Sequence, residues 1–232
     1  MRATLTIFLL AISIFTLSGR TANGGASLSL QQPGPNELAV DDGSFEGAIG
    51  SSAGSLTMVN RLTPTSYPAT LNGVSIFFRS SGGVQTGAPL TLLVGAYSGS
   101  DTSLLSGINF QSIPVTVSAL GQFNVYTAPN LTINAGDFVV GFRMAHSSGV
   151  FPFAVDQTPP RRARSFLCTS DPPSCLNTEN IGGVNVQGNL GIRARLASGS
   201  TPTTVSTVPA ASFTGNELAS ESIAAGFGSN LS

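Results

Sequence analysis

The residue types that do chemistry are few in this sequence, so each can be weighed by its spacing. Gly50-Ser51-Ser52-Ala53-Gly54 fits the G-x-S-x-G pattern of a serine nucleophile. With Ser52 as nucleophile, Asp101 or Asp137 and then His146 follow in the chain order of an α/β-hydrolase triad. That motif needs a strand before the serine and a helix after it. Here a Gly/Ser-rich stretch leads straight into the strand-like SLTMVNRL. His146 sits in HSSG, just past a strand pattern, and reads as an exposed loop residue. A hydrolase is therefore the least favoured reading, and no residue is given a catalytic role.

Asp41, Asp42 and Glu46 form a carboxylate cluster whose hard oxygens suit calcium. Asp156 and backbone carbonyls would complete the shell if the fold brought them near. The competing reading makes Asp42-Gly43 a turn and leaves Glu46 in solvent. No other cofactor is expected. The same carboxylates are a weak case for a glycosidase, because sequence spacing does not fix the separation that chemistry requires.

The densest basic run is Arg161-Arg162-Ala163-Arg164, after Thr158-Pro159-Pro160. Its readings are a solvated loop running into a strand, a cleavage site for a trypsin-like protease, or an anion contact. Arg193 and Arg195 alternate with Ile192, Ala194 and Leu196. That spacing puts both arginines on one outward strand face, where an acidic partner or polar surface could cover them.

Cys168 and Cys175 are the only two cysteines, in CTSDPPSC. An exported chain favours a bridge between them, and Asp171-Pro172-Pro173 is turn-like enough to fold the loop back. Such a bridge staples one loop and does not hold the fold. Zinc is a poor alternative, since the lone His146 lies 22 positions upstream and the set does not close a site.

Export is itself legible. Met1-Arg2 precedes an apolar run over residues 3–17, followed by the small, polar SGRTANGGAS. This is the plan of a secretory signal, with Gly24 and Ala26 placed for cleavage after Ala26. The run is shorter than the roughly 20 residues that span a bilayer. The mature protein is expected to be soluble, secreted or at the cell surface, with no membrane partner after signal cleavage.

The elements that must position these residues are strands. Alternating apolar residues mark 73–79, 90–96, 138–144, 151–155 and 192–196, and further strand-like runs lie at 56–62, 113–117, 123–126 and 165–168. Turn signals such as Asn72-Gly73, Ser81-Gly82-Gly83 and Gly182-Gly183 separate them. About nine strands with no convincing helical period before residue 210 predict an all-β, antiparallel two-sheet β-sandwich, jelly-roll-like. The expected organisation is a signal peptide with its helix over 1–26, a linker over 27–37, the sandwich over 38–197, a Ser/Thr-rich linker over 198–208, and a disordered or truncated tail over 209–232.

Composition removes further classes. The chain has 232 residues, a net charge of -1 and only 9% charged residues, and all ten basic residues are Arg. Nucleic-acid binding, which needs a basic surface, is excluded. Carbohydrate recognition by ring stacking is handicapped, because there is no Trp and only Tyr67, Tyr97 and Tyr126. Asn130-Leu131-Thr132 is a glycosylation sequon that only a eukaryotic export route would use.

Four segments in order, VDDGSFEGAIG, TINAGDFVVGFRM, FAVDQTPPRRARSF and GNLGIRARL, resemble a family of jelly-roll accessory modules in secreted bacterial proteins. The resemblance covers about residues 38–197. It implies a module appended to proteases or surface proteins, without catalysis of its own. Where that family often carries an aromatic-rich stretch before its last strand, this chain has Cys168 and Cys175. The tail VPAASFTGNELASESIAAGFGSNLS resembles the opening of a carboxy-terminal domain common in large secreted proteins of soil bacteria, which implies a relative or fragment of a longer protein. Together the readings give a non-catalytic extracellular module for adhesion, spacing or protein contacts. Its expected partner is an extracellular protein or polysaccharide. The alternative is a carbohydrate- or calcium-binding module.

Overall fold

The structure is a computed structural model that describes residues 31–169, 174–181 and 187–197, together with the backbone of 206–209 and 224–227. The expected signal peptide, the first four residues of the linker after it (27–30) and the bulk of the tail lie outside the described residues. The chain divides between Leu196 and Ala197 into two units.

The described residues of the first unit form fourteen strands. In chain order these are β1 (Glu37–Leu38), β2 (Gly47–Ile49), β3 (Gly54–Leu62), β4 (Ala69–Phe78), β5 (Pro89–Tyr97), β6 (Leu104–Leu105), β7 (Gln111–Thr116), β8 (Gln122–Ile133), β9 (Asp137–His146), β10 (Phe153–Asp156), β11 (Ser165–Thr169), β12 (Ser174–Asn177), β13 (Asn189–Leu190) and β14 (Ile192–Leu196). One sheet has the order β1-β14-β4-β8, and the other β6-β12-β11-β3-β9-β5-β7. A short ribbon, β13-β10-β2, stands beside them. Every pairing is antiparallel. In the second unit β15 (Ser206–Pro209) pairs antiparallel with β16 (Ala224–Phe227), so a strand begins inside the stretch expected to be a linker.

The fold is the expected β-sandwich. The main core forms where alternating residues of the two sheets meet: Val74, Ile76, Phe78, Ile192 and Ala194 from one, Met58, Leu92, Val94, Phe138, Val140 and Phe142 from the other. Phe142 stacks on Phe153 with ring centroids 4.2 Å apart and meets Phe78 edge-on at 5.5 Å. Such pairs add to the area they bury.

Both outer faces are also partly covered, which alternation alone does not reveal. On the seven-stranded sheet, Val59, Tyr97, Leu105, Ile108, Val139, Phe166 and the two cysteines form a second apolar cluster. The chain at 108–109 lies flat there because position 95 is glycine; a Cβ at Gly95 would stand 2.8 Å from Ile108 and 3.0 Å from the Asn109 carbonyl. On the four-stranded sheet, residues 31–46 form a strap. Phe45 stacks on Phe77 at 4.4 Å, and Phe123 meets both edge-on.

That strap corrects the placement of Arg193. The residue does face outward from β14, but its side chain is only 1% exposed. Its guanidinium lies 4.0 Å over the Phe123 ring. Nε donates to both Asp41 oxygens at 3.2 and 3.1 Å, and a second nitrogen donates to Asp41 at 2.5 Å and to the Gln31 carbonyl at 2.6 Å. The acidic cover expected of a partner comes from the chain itself. Arg195 stays 46% exposed, 3.7 Å from Glu37.

Candidate functional site

The pairing of β3 with β9 sets Arg61 opposite Val139 and Leu62 opposite Phe138. The carboxylate of Asp137, at the start of β9, is thereby brought beside Arg61 at the end of β3. Arg61 donates to Asp137 through Nε and to the Asp101 carbonyl at 2.6 Å, and its guanidinium lies 4.8 Å over the Tyr97 ring. Thr63 donates its hydroxyl to the other Asp137 oxygen at 2.6 Å, and Arg164 donates to Asp137 at 2.9 Å. Burial pushes the Asp137 carboxyl up. The hydrogen bonds from Thr63 and Arg61 and the charges of Arg61 and Arg164 outweigh it and hold the group below its ordinary value.

Beside this ion cluster lies an open cleft of about 460 Å³. Residues 38–40 form one wall, residues 61–63 the second, and Pro160, Arg161, Arg162 and Arg164 the third. Four of the ten arginines of the chain therefore converge here. The loop that carries three of them is fastened by two buried asparagines. Asn189 accepts the Arg162 N–H at 3.0 Å and donates to the Pro160 carbonyl at 3.2 Å. Asn177 donates to the Ala163 carbonyl at 2.6 Å. Ala163 has a φ of 51°, in the left-handed region that a non-glycine residue keeps only when its surroundings demand it. The run is, as expected, an exposed loop that leads into β11, and its backbone is fastened at Pro160, Arg162 and Ala163.

The other expected site residues go elsewhere. Asp41 is committed to Arg193; burial pushes its carboxyl above the ordinary value, against the pull of that guanidinium. Asp42 accepts the Ser44 N–H and hydroxyl at 2.8 and 2.6 Å, and Gly43 has a φ of 90°, which is the turn. Glu46 accepts the Gln157 N–H at 2.8 Å. Asp156 does come near, taking the Asp42 N–H at 3.0 Å, but it also takes the Thr158 N–H at 2.8 Å. Among the described residues no three His, Cys, Asp or Glu side chains gather as a metal site.

The hydrolase triad does not assemble from its candidates. Asp137 and His146 are the first and last residues of β9. Nine strand steps of about 3.3 Å put them roughly 30 Å apart. Asp101 belongs to the Arg61 end as well. The hydroxyl on His146 is that of Ser51, not Ser52, at 3.1 Å from Nε2. His146 closes β9 opposite Gly54 and is not a loop residue. Cys168 and Cys175 are bridged, directly opposite each other across β11 and β12.

Sequence reasoning missed Arg61, Asn177 and Asn189. Arg61 carried a signal, as a lone charge inside an apolar strand run. The asparagines carried none, because their role depends on a loop remote in sequence.

No family model matches this sequence, and no curated protein does. Two solved structures share the fold. One contains the cysteine protease and lectin-like domains of Cwp84, a surface layer associated protein of Clostridium difficile. The other is a clostridial Cwp84 variant after propeptide cleavage. Each aligns at a TM-score of 0.54 with 10% identity over 72% of this chain. The likeness is to the lectin-like part. This chain spans only 37% and 42% of those two chains.

Proposed function

We propose that this chain is a non-catalytic extracellular β-sandwich module that makes adhesive contacts, related to the accessory modules of larger secreted proteins. The arginine cleft carries the reading. Its working groups are guanidiniums, which donate hydrogen bonds, keep their charge at any physiological pH and neither attack nor abstract protons. Such groups suit the holding of an anionic ligand, which supports a binding role. The export-type start, the Cys168–Cys175 bridge and the fold shared with a lectin-like domain support the same reading.

The test is retention of the labelled, purified protein on insoluble cell-wall and matrix material of its host, alongside assays for ester, peptide and glycoside hydrolysis. Saturable retention without turnover is expected. Absence of retention, or a hydrolytic activity that Ser51→Ala removes, would overturn the proposal.

A further inference from the structure

We infer that the arginine cleft binds an acidic polysaccharide, one whose sugar rings carry carboxylates. The inference rests on the adhesive-module reading and names its ligand class.

Charge comes first. Arg61, Arg161, Arg162 and Arg164 are all among the residues that line the cleft, although the Arg61 guanidinium itself is turned to Asp137, the Asp101 carbonyl and the Tyr97 ring. Asp137 is shared between Arg61 and Arg164, and Glu179 stands 4.0 Å from Arg161. A positive surplus remains in a protein whose net charge is -1. The Arg162 guanidinium has no carboxylate partner among the described residues, while its backbone is fixed on Asn189. Arg161 is half-exposed, with one nitrogen on the Gln187 side chain at 2.6 Å. Arginine forks suit planar carboxylates, which they bind through paired, charge-assisted hydrogen bonds.

Shape selects the carrier of the charge. Leu38, Ala39 and Pro160 add apolar surface to the lining of the cleft, above the buried Val40 and Leu62. A pyranose ring bearing a carboxylate has both features: a C–H face for the aliphatic floor and an anion at its edge. The cleft can therefore hold sugar without the Trp that the chain lacks. Its size, about 460 Å³, lies within the range of ligand sites, and it is open to solvent. Preorganisation completes the case. The Asn177 and Asn189 fastenings and the left-handed Ala163 fix the loop backbone before any ligand arrives, so the ordering left for binding is that of the arginine side chains.

The experiment is calorimetric titration of the full chain with an oligogalacturonate at low salt. Its methyl-esterified, uncharged counterpart and poly-glutamate are the comparison ligands. Arg161→Gln, Arg162→Gln and, as a control remote from the cleft, Arg143→Gln are titrated in parallel, each checked for an unchanged melting temperature. Binding of the charged sugar only is expected. Arg162→Gln should weaken it by roughly tenfold or more, the loss expected of one charge-assisted hydrogen-bonded pair. Arg143→Gln should not, and added salt should weaken binding throughout. No binding, equal binding of the esterified sugar, indifference to Arg161→Gln and Arg162→Gln, or tighter binding of poly-glutamate would each overturn the inference. Matrix retention that survives in an Arg161→Gln/Arg162→Gln double variant, with no uronate binding, removes this ligand and leaves the module reading standing. Loss of retention in the unaltered protein removes both.

Discussion

Arg193 and Asp41 are joined at 2.5 Å across 152 positions of sequence, with both side chains almost wholly out of solvent. The pair ties the strap of residues 31–46 to the last strand of the sandwich. Removing Asp41 leaves the buried Arg193 with only Glu37, 3.7 Å away, as a carboxylate, and breaking such a pair costs more than the pair itself contributes.

Asp41→Ala should therefore destabilise the fold by about 3–5 kcal/mol. Asp41→Leu with Arg193→Met, which removes both charges, should cost much less. Denaturant unfolding of the three proteins measures the difference, and equal losses in the single and double variants would refute the account.

Asp137 sets an acid limit. Its folded value lies below the ordinary 3.8, so it stabilises the fold above that value and loses the contribution as pH falls through the depressed one. Asp137→Asn should lower stability at neutral pH by about 3 kcal/mol, since Arg61 loses its counter-ion. It should also flatten the decline in stability between about pH 5 and pH 2. Asp41, shifted the opposite way by burial, is present in both proteins and cancels from the comparison. Parallel acid-unfolding curves for the two proteins would refute this.

The Cys168–Cys175 bridge closes a short loop, with a sequence separation of 7. Its loss should cost about 2–3 kcal/mol through chain entropy and leave the sandwich folded. Thermal melting with and without reductant checks the cost. Intact mass, rising by about 2 Da on reduction, checks the bond. Global unfolding on reduction would show that the second apolar cluster depends on the bridge.

Calcium should leave the melting temperature unchanged at millimolar concentration, because the Asp41, Asp42 and Glu46 carboxylates are spent on Arg193, Ser44 and the Gln157 N–H. A bound ion at 100 times its dissociation constant would add about 2.7 kcal/mol, an easily measured shift.

All nine expected strands are present, five of them marked by alternating apolar residues and four by apolar or β-branched runs bounded by turns. The other five have two to four residues: β1, β2, β6 and β13 have no room for a period, and β12 (Ser174–Asn177) has only Cys175 and Leu176 to mark it. Alternation assigned Arg193 to the right face of β14 and the wrong environment. The period says which way a side chain points, not what lies over it, and the cover is an irregular segment more than 150 positions away. The same limit applies to the cleft. Arg161, Arg162 and Arg164 were conspicuous as a run, but Arg61 and Asp137 joined them only through the β3–β9 register. Ser52 was chosen over Ser51 because a motif fixes spacing, while the contact with His146 is made across strands.

The antiparallel pairing of β1 with β14, Glu37 opposite Arg195, puts the entrance and exit of the sandwich side by side. A polypeptide carrying this module therefore leaves it almost where it arrived, so the module hangs from the chain like a pendant and adds little to its contour. Tension on the two ends would fall on β1 and β14 in the unzipping direction, breaking their bonds one at a time. The strap would peel first, and the Arg193–Asp41 clasp would be the first firm resistance met by the pulling force.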